Sequence, residues 1–114
     1  MVIANADLAA PRENGFSLEP GHYGHLMEDQ GTEGIRYFGK PFPSVYEVLE
    51  TSLAGIDPKR IVMCGDTLHT DIVGAAARGW RTVLVTKDGM FAGKNSLHFC
   101  QRADIIPDWH LARI

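Results

Sequence analysis

Two aspartates five positions apart, Asp66 and Asp71, carry the clearest chemical signal in this sequence. The apolar run 61–64 ends in Gly65-Asp66, and Asp71 follows where a helix is predicted to begin. This pattern places two carboxylates at the C-terminal end of a buried parallel strand, the edge at which open α/β sheets bind ligands. Carboxylate oxygens suit a hard cation such as Mg²⁺, which often accompanies a phosphate group. We therefore expect Asp66 and Asp71 to be metal ligands.

A lysine upstream of these aspartates adds the opposite charge. Lys40 directly precedes a predicted helix, and Asp66 and Asp71 follow it by 26 and 31 residues. A lysine ammonium can neutralise a phosphoryl oxygen or a nearby carboxylate, while the aspartates hold a metal ion. Together the three groups would form an electrostatic clamp for phosphoryl transfer, with Lys40 as the catalytic residue. No Asp-x-Asp motif, which could supply a nucleophile beside them, occurs in the sequence.

Short strands and helices that alternate along the chain would position these groups. Strands are predicted at 2–4, 35–38, 61–64, 81–85 and 104–106, and helices at 20–30, 41–53 and 70–78. This alternation is typical of an α/β protein with a parallel sheet and right-handed crossovers. Pro11 and Asn14-Gly15 are turn signals, so 9–19 is predicted to be a loop. The segment 89–102 gives no clear pattern.

The two longer helices differ in how they are predicted to pack. Helix 41–53 carries an apolar stripe at helical spacing, with Pro41 in its first turn and Gly55 after its end. The stripe consists of Phe42, Val45, Tyr46, Leu49 and Leu53. Helix 20–30 would place Tyr23, Leu26 and Met27 on one face. Gly21 and Gly24 should weaken it by about 1 kcal/mol each relative to alanine.

Length and composition narrow the class of protein. The chain has 114 residues, 45% hydrophobic and 22% charged, which fits one domain. Its net charge of −3 and the lack of a basic run argue against a nucleic-acid partner. No apolar stretch approaches a membrane span and no signal peptide is evident, so we expect a cytoplasmic protein without membrane contact. Cys64 is predicted to be a buried, reduced thiol within its strand, which fits a reducing compartment.

Two motifs resemble those of the haloacid dehalogenase (HAD) superfamily, in its subfamily IIA-like branch of phosphatases with a C2-type cap. They read Gly-Lys-Pro-x-Pro at 39–43 and Gly-Asp-x-x-x-Thr-Asp-Ile at 65–72. The resemblance implies that Lys40 is the family's lysine and that Asp66 and Asp71 form its acidic, Mg²⁺-holding motif. It also implies hydrolysis of a small phosphorylated metabolite through an aspartyl-phosphate.

The ends of the chain extend the resemblance. Ala-Asn-Ala-Asp at 4–7 is similar to the segment near the end of the cap, with Ala6 in place of proline, and 103–106 is similar to the last core strand. The fold it implies is a partial HAD-like (Rossmannoid) core, a parallel sheet with flanking helices that lacks the first core strands and most of the cap. On this reading 1–36 is a remnant of the cap and 37–114 is the C-terminal half of the core.

The missing nucleophile motif has consequences for activity and assembly. In the family the nucleophile lies on a central strand beside the one that carries Asp66. Without it, 61–64 would be an unpaired apolar edge, which favours association with another chain. We therefore expect a fragment that is inactive by itself and a homo-oligomer, most simply a dimer. The alternative function is a non-catalytic association module that retains half a phosphatase fold.

Several other polar residues leave two interpretations open. Asn5 and Asp7 could face the substrate, or their side chains could fix the following loop by hydrogen bonds. His22 and His25 have a spacing that could bind a metal, but a solvated helix face explains them better. His69 is read as a loop histidine, although it lies between the aspartates. Residues that border the site less directly are Thr86 and Asp88, and the two predicted packing residues are Trp80 and Trp109.

Overall fold

The computed structural model describes residues 1–114 and shows an α/β protein. Its strands are β1 (Val2–Ile3), β2 (Ala9–Arg12), β3 (Gly15–Leu18), β4 (Arg36–Tyr37), β5 (Val62–Gly65), β6 (Arg81–Val85) and β7 (Trp109–Leu111). Its α-helices are α1 (Pro20–Asp29), α2 (Pro43–Ser52), α3 (Val73–Ala77) and α4 (Ser96–Ala103). Short 3-10 turns occur at Pro58–Arg60 and Gly89–Phe91, and a π-helical turn, Leu68–Ile72, leads into α3.

Parallel pairing dominates the sheets, as predicted. Strands β5, β6 and β7 form a three-stranded parallel sheet in that order, with Gly65 opposite Leu84. Strands β1 and β4 form a separate parallel pair. Strand β5 is hydrogen-bonded only to β6, so it is an edge strand, as expected for the strand that precedes Asp66. No helix is both long enough and apolar enough to span a membrane.

Two apolar clusters form the core. The larger joins the π-helical turn, β6 and α4, and its members are Leu68, Ile72, Leu84, Phe91 and Cys100. The smaller packs α2 against α3 and the start of β6, and its members are Tyr46, Ala75 and Trp80. Tyr46 is completely buried, which confirms the core-facing side of the predicted stripe, whereas Leu49 is 42% exposed. Trp80 is buried as predicted, but Trp109 is largely exposed on β7.

The predicted loop 9–19 is wrong, because this segment forms a β-hairpin. Strands β2 and β3 pair antiparallel, with Arg12 opposite Gly15. Gly15 has φ +110°, a conformation open to glycine but strained for other residues. Pro11 lies within β2, where a two-stranded ribbon tolerates a residue that has no N–H to donate. Asn14-Gly15 therefore does indicate a turn, but the turn joins two paired strands and is not part of a long loop.

The predicted strand 104–106 is also wrong. Asp104 ends α4 in a left-handed conformation with φ 54°, and the last strand is β7, a few residues later. Asp108 positions β7, since its carboxylate accepts hydrogen bonds from the Thr82 N–H at 2.9 Å and from Arg81 at 2.7 Å. Register is thus set by side-chain bonds to β6, which apolar patterning does not reveal.

Helix α1 packs through its glycines rather than through its apolar residues. Gly21 and Gly24 are buried, while Tyr23 and Leu26 are exposed. A Cβ added at Gly21 would lie 2.2 Å from the Ala6 carbonyl oxygen. The helix can therefore approach the chain beneath it only where side chains are absent.

The prediction that the Cys64 thiol is buried is wrong as well. Cys64 is exposed, because β5 has no neighbour on its outer side. Cys100 is the buried cysteine, and burial raises the pKa of its thiol.

Candidate functional site

The centre of the candidate site is the carboxylate of Asp71, which is almost completely buried in the turn after β5. One oxygen is ion-paired with the Lys40 ammonium, and the other accepts a hydrogen bond from the Thr67 N–H at 3.1 Å. Gly65 makes room for this group, because a Cβ there would lie 2.3 Å from the Asp71 Cγ. A buried carboxylate needs such partners, and here a lysine and a backbone amide supply them.

Lys40 reaches Asp71 from a different sheet. It follows β4 after Gly39, which has φ +83° and passes close to β1, with its Cβ position 3.1 Å from the Ala4 carbonyl oxygen. Asp71 is 5% exposed at the side chain, whereas Lys40 is 43% exposed. The ammonium is therefore anchored on its buried side by Asp71 and still open to solvent, where an anionic ligand could approach.

Asp66 is held beside this pair by a second turn. Its Oδ2 accepts a hydrogen bond from the Met90 N–H at 2.8 Å, and its Oδ1 accepts one from the Thr67 hydroxyl at 3.3 Å. Gly89, with φ +70°, permits this approach, because a Cβ there would lie 1.7 Å from Asp66 Oδ2. The turn Gly89–Phe91 is thus shaped around the Asp66 carboxylate.

Thr67 connects the two aspartates, since its N–H binds Asp71 and its hydroxyl binds Asp66. The structure therefore brings together all three residues at which the sequence predicts chemistry: Lys40, Asp66 and Asp71. Sequence reasoning missed Thr67, Gly89 and Met90. Thr67 adjoins a predicted ligand and could have been noticed, but the Gly89 turn lies in the segment that gave no pattern.

Tyr46 of α2 packs against the π-helical turn that carries Asp71. Its hydroxyl donates a hydrogen bond to the Thr70 carbonyl oxygen at 3.2 Å. Burial, together with the nearby Asp71 charge, raises the pKa of Tyr46 to about 12, so the phenol stays neutral at physiological pH. Gly74 leaves space for it, because a Cβ there would lie 2.0 Å from the hydroxyl oxygen. The predicted core residue therefore also fixes the backbone between the two aspartates.

Asn5 and Asp7 occupy the loop after β1. The Asn5 side-chain oxygen accepts a hydrogen bond from the Asp7 N–H at 3.0 Å, the local bond that fixes such a loop. The Asp7 carboxylate makes no hydrogen bond or ion pair within the chain. The Cβ position of Gly39 lies 3.8 Å from the Asn5 Cα, so this loop touches the segment that carries Lys40. Substrate contact by Asn5 and Asp7 stays a prediction.

The histidines are arranged for packing. His25 lies 3.1 Å from Glu28 and stacks on Tyr37, while His22 contacts Tyr23 edge to face. Burial and the hydrogen bond to Glu28 raise the pKa of Tyr37 to about 12. His69 is exposed and lines a cavity of about 590 Å³ that also borders Thr67 and Met90. No cluster of three or more His, Cys, Asp or Glu side chains capable of holding a metal occurs.

The donor set fits a magnesium ion only as part of a larger coordination shell. Mg²⁺ usually keeps several waters and binds one or two carboxylates together with phosphate oxygens. Asp66 has carboxylate oxygens at the end of β5, and its protein partners are two neutral donors. Asp71 is already neutralised by Lys40, which makes Asp66 the better ligand of the two.

Comparison with known proteins identifies the family to which the chain belongs. The family model for HAD-hydrolase-like proteins matches residues 37–109, more than half of the chain. The chain is 29% identical to human glycerol-3-phosphate phosphatase. The match covers the whole of this chain and 37% of the human protein. A possible sugar phosphatase of the HAD superfamily from Cytophaga hutchinsonii superposes with a TM-score of 0.80 at 25% identity, over 98% of this chain and 40% of that one.

A second solved structure gives the same result. The p-nitrophenyl phosphatase from Archaeoglobus fulgidus superposes with a TM-score of 0.74 at 28% identity, over 96% of this chain and 41% of that one. The chain therefore spans about two fifths of the length of the relatives it matches.

Proposed function

Because the chain belongs to the HAD-hydrolase-like family, we propose that it forms the part of a Mg²⁺-dependent phosphate monoesterase that carries the lysine and the acidic motif. The observation that carries the proposal is the convergence of Lys40, Asp66 and Asp71 around Thr67. The substrate class would be a small phosphorylated metabolite, in line with the phosphatases that the chain resembles.

Each residue has a distinct role in this proposal. Asp66 would hold Mg²⁺, which supplies positive charge to a phosphoryl group when bound. Lys40 would bind a phosphoryl oxygen, and Asp71 would position the Lys40 ammonium through their ion pair. Such fixed charges stabilise phosphoryl transfer without reorganising during the reaction. Attack on phosphorus would require a carboxylate from outside these 114 residues, since they contain no Asp-x-Asp motif.

We further propose the division into a cap remnant, 1–36, and half of a core, 37–114. In support, the family match begins at residue 37. Strand β1 nevertheless pairs with β4, so the first residues contribute to the same parallel layer that leads to Lys40.

Metal binding tests the proposal directly. Titration of ¹⁵N-labelled protein with MgCl₂ should shift the amide signals of Asp66, Thr67 and Met90 in a saturable way. Asp66→Asn should abolish these shifts, because it removes the charged ligand. Asp57→Asn is the matched control, since Asp57 is an exposed carboxylate that caps the turn Pro58–Arg60. Retention of the shifts in Asp66→Asn would contradict the assignment of Asp66.

The exposed β5 edge favours a second candidate, association with another chain. Val62 is 49% exposed and Cys64 is exposed, although both lie on a strand. An open edge with apolar side chains is a template for strand pairing. The exposed edge is expected both for a non-catalytic association module and for part of a phosphatase, so it does not distinguish them. Mg²⁺ binding at Asp66 does, since the module requires no metal.

A further inference from the structure

The ammonium of Lys94 is bound to the turn that surrounds Asp66. It donates a hydrogen bond to the Met90 carbonyl oxygen at 2.9 Å, and the Lys94 N–H donates to the Phe91 carbonyl oxygen at 2.9 Å. The side chain forms no ion pair, although the chain has 14 acidic residues against 11 basic ones. Because the ammonium bonds to the backbone instead of to a carboxylate, it restrains the shape of the turn.

Met90 is held through both of its backbone polar groups. Its carbonyl oxygen accepts from Lys94, and its N–H donates to Asp66 Oδ2 at 2.8 Å. The bond within the turn is longer, 3.3 Å from the Ala92 N–H to the Gly89 carbonyl oxygen. Glycine restrains a backbone weakly, so Gly89 alone would allow the turn several shapes. Lys94 therefore helps to fix the residue whose amide orients the Asp66 carboxylate.

The same ammonium contacts the hairpin formed by β2 and β3. It lies 4.4 Å from the centre of the Phe16 ring, within the range of cation–π attraction. Strand β2 contacts the turn Gly89–Phe91 as well. A contiguous set of contacts thus runs from the hairpin through Lys94 and Met90 to Asp66.

We propose that Lys94 is a positioning residue that couples the β2–β3 hairpin to the Asp66 carboxylate. By holding the Met90 carbonyl, it keeps the Met90 N–H on Asp66 and the carboxylate in one orientation for a metal ion. Groups that orient a ligating carboxylate from outside the coordination shell raise metal affinity in this way. The inference rests on the proposed function, because Asp66 is the ligand that it serves.

Removal of the Lys94 charge separates positioning from simple electrostatics. A cation near a Mg²⁺ site repels the ion, so its loss alone would tighten binding. We expect the opposite: Lys94→Met should weaken Mg²⁺ binding about fivefold, the effect of one hydrogen bond, in the titration followed at Asp66 and Met90. Lys94→Arg keeps a charge and a donor for the carbonyl and should restore most of the affinity.

The matched control is Lys87→Met. Lys87 is an exposed lysine of the same segment whose side chain makes no hydrogen bond or ion pair within the chain. Its substitution removes the same charge and should leave Mg²⁺ affinity unchanged or slightly higher. Affinity that Lys94→Met leaves unchanged or raises would overturn the proposal.

Phe16→Leu tests the link to the hairpin without a change in charge. It should weaken Mg²⁺ binding about twofold, because a cation–π contact at an exposed site is weak, and it should have no further effect in Lys94→Met. Leu18→Ala, at an exposed position of the same strand, is the control. An equal loss from Phe16→Leu in both backgrounds would overturn the coupling through Lys94.

Hydrogen exchange in the absence of metal keeps the two proposals distinguishable. The Met90 amide should exchange about fivefold faster in Lys94→Met than in the wild type, because its bond to Asp66 opens more often. Lys87→Met should leave this rate unchanged. Equal Met90 rates in the wild type and Lys94→Met would overturn the positioning role. Absence of saturable Mg²⁺ shifts in the wild type would overturn the proposed function instead, and the exchange rates would still decide the role of Lys94.

Discussion

At the residue scale, Asp71 is defined as much by its neighbours as by its charge. Gly65 leaves space for its carboxylate, Thr67 donates to it, and Lys40 neutralises it. Because the carboxylate is buried, each of these partners is needed to offset the loss of hydration. The motif 65–72 therefore encodes a folded turn together with two acidic groups, which explains why its small and hydroxylated residues matter.

Tyr46 yields a prediction with a defined pH dependence. Tyr46→Phe removes the hydrogen bond to the Thr70 carbonyl and should lower the free energy of unfolding by about 1 kcal/mol at pH 7. The folded pKa of about 12 lies above the ordinary value of 10.0. The stabilisation is thus complete below pH 10 and is lost as the pH rises through about 12.

Urea denaturation at pH 7 and at pH 11 measures this effect. The difference between the wild type and Tyr46→Phe should be smaller at pH 11. Tyr23→Phe, at an exposed tyrosine of α1, serves as the control and should show little difference at either pH. A difference for Tyr46→Phe that does not change with pH would contradict the assigned role of the hydroxyl.

At the element scale, α1 shows why its packing escaped prediction. Apolar spacing placed Tyr23, Leu26 and Met27 on one face, whereas the buried residues of the helix are Gly21 and Gly24. Helix propensity counts glycine only as a residue that destabilises a helix. It carries no information about where a helix packs closely against another segment of backbone. The positions of α2 and β6 were predictable to within two residues because each buries large apolar side chains, such as Tyr46 and Leu84, at the spacing of its element.

Gly24→Ala tests this packing. Alanine favours a helix by about 1 kcal/mol, but its Cβ would lie 2.8 Å from the Tyr37 ring. Overpacking typically destabilises by about 1–3 kcal/mol, so we expect a net loss of stability by thermal or urea unfolding. In a Tyr37→Ala background the same substitution should be less harmful, because the ring is gone. A stabilising effect of Gly24→Ala in the wild type would show that α1 is not packed this way.

An ion pair joins α2 to the end of α3. The Arg78 guanidinium donates to both carboxylate oxygens of Glu50, with an Nε–Oε1 distance of 2.8 Å. These hydrogen bonds lower the pKa of Glu50 below its usual value of 4.5. The pair therefore stabilises the fold above the unfolded pKa, and this contribution is lost as the pH falls through the folded pKa.

We accordingly expect Glu50→Gln to lower the melting temperature at pH 7 and to lose most of this effect in strong acid. Circular dichroism melts between pH 7 and pH 2.5 would follow the convergence of the two curves. Glu13→Gln, at an exposed position of the hairpin turn, is the control. A difference between the wild type and Glu50→Gln that stays constant over the whole pH range would show that ionisation of Glu50 does not cause it, and coincident curves would show that the pair contributes nothing.

At the scale of the whole molecule, the 114 residues contain no Asp-x-Asp motif that could supply a nucleophile beside Lys40 and Asp66. We expect the isolated chain to release no p-nitrophenol from p-nitrophenyl phosphate with Mg²⁺ above the buffer rate. Metal-dependent turnover that disappears in Asp66→Asn would contradict this and would mean that another residue attacks.

The sequence could predict the family from its motifs, and through the family the meeting of Lys40, which follows a strand of a separate sheet, with Asp66 and Asp71. It could not predict the hairpin formed by β2 and β3, the Gly89 turn or the position of β7. Those features depend on glycine conformation and on side-chain bonds such as those of Asp108, which no periodic pattern records. The β5 edge was predictable because the family resemblance implies a neighbouring strand that these residues do not contain.

That edge carries the prediction for assembly. Strand β7 pairs with β6, so the C-terminal segment lies away from β5 and leaves Val62 exposed. Burial of an exposed apolar side chain stabilises by about 1.5–3 kcal/mol, a large share of the stability of a small domain. We therefore expect a homo-oligomer, most simply a two-fold dimer, with an interface that includes β5.

Light scattering coupled to gel filtration at micromolar concentration would measure the mass. Val62→Lys places a charge on the edge strand and should shift the protein to monomer, because a lysine there opposes strand pairing. Val48→Lys, at an exposed valine of α2, is the control for added charge and should remain dimeric. A folded wild-type protein that is strictly monomeric would contradict the interface, and a dimer unaffected by Val62→Lys would place it on a different surface.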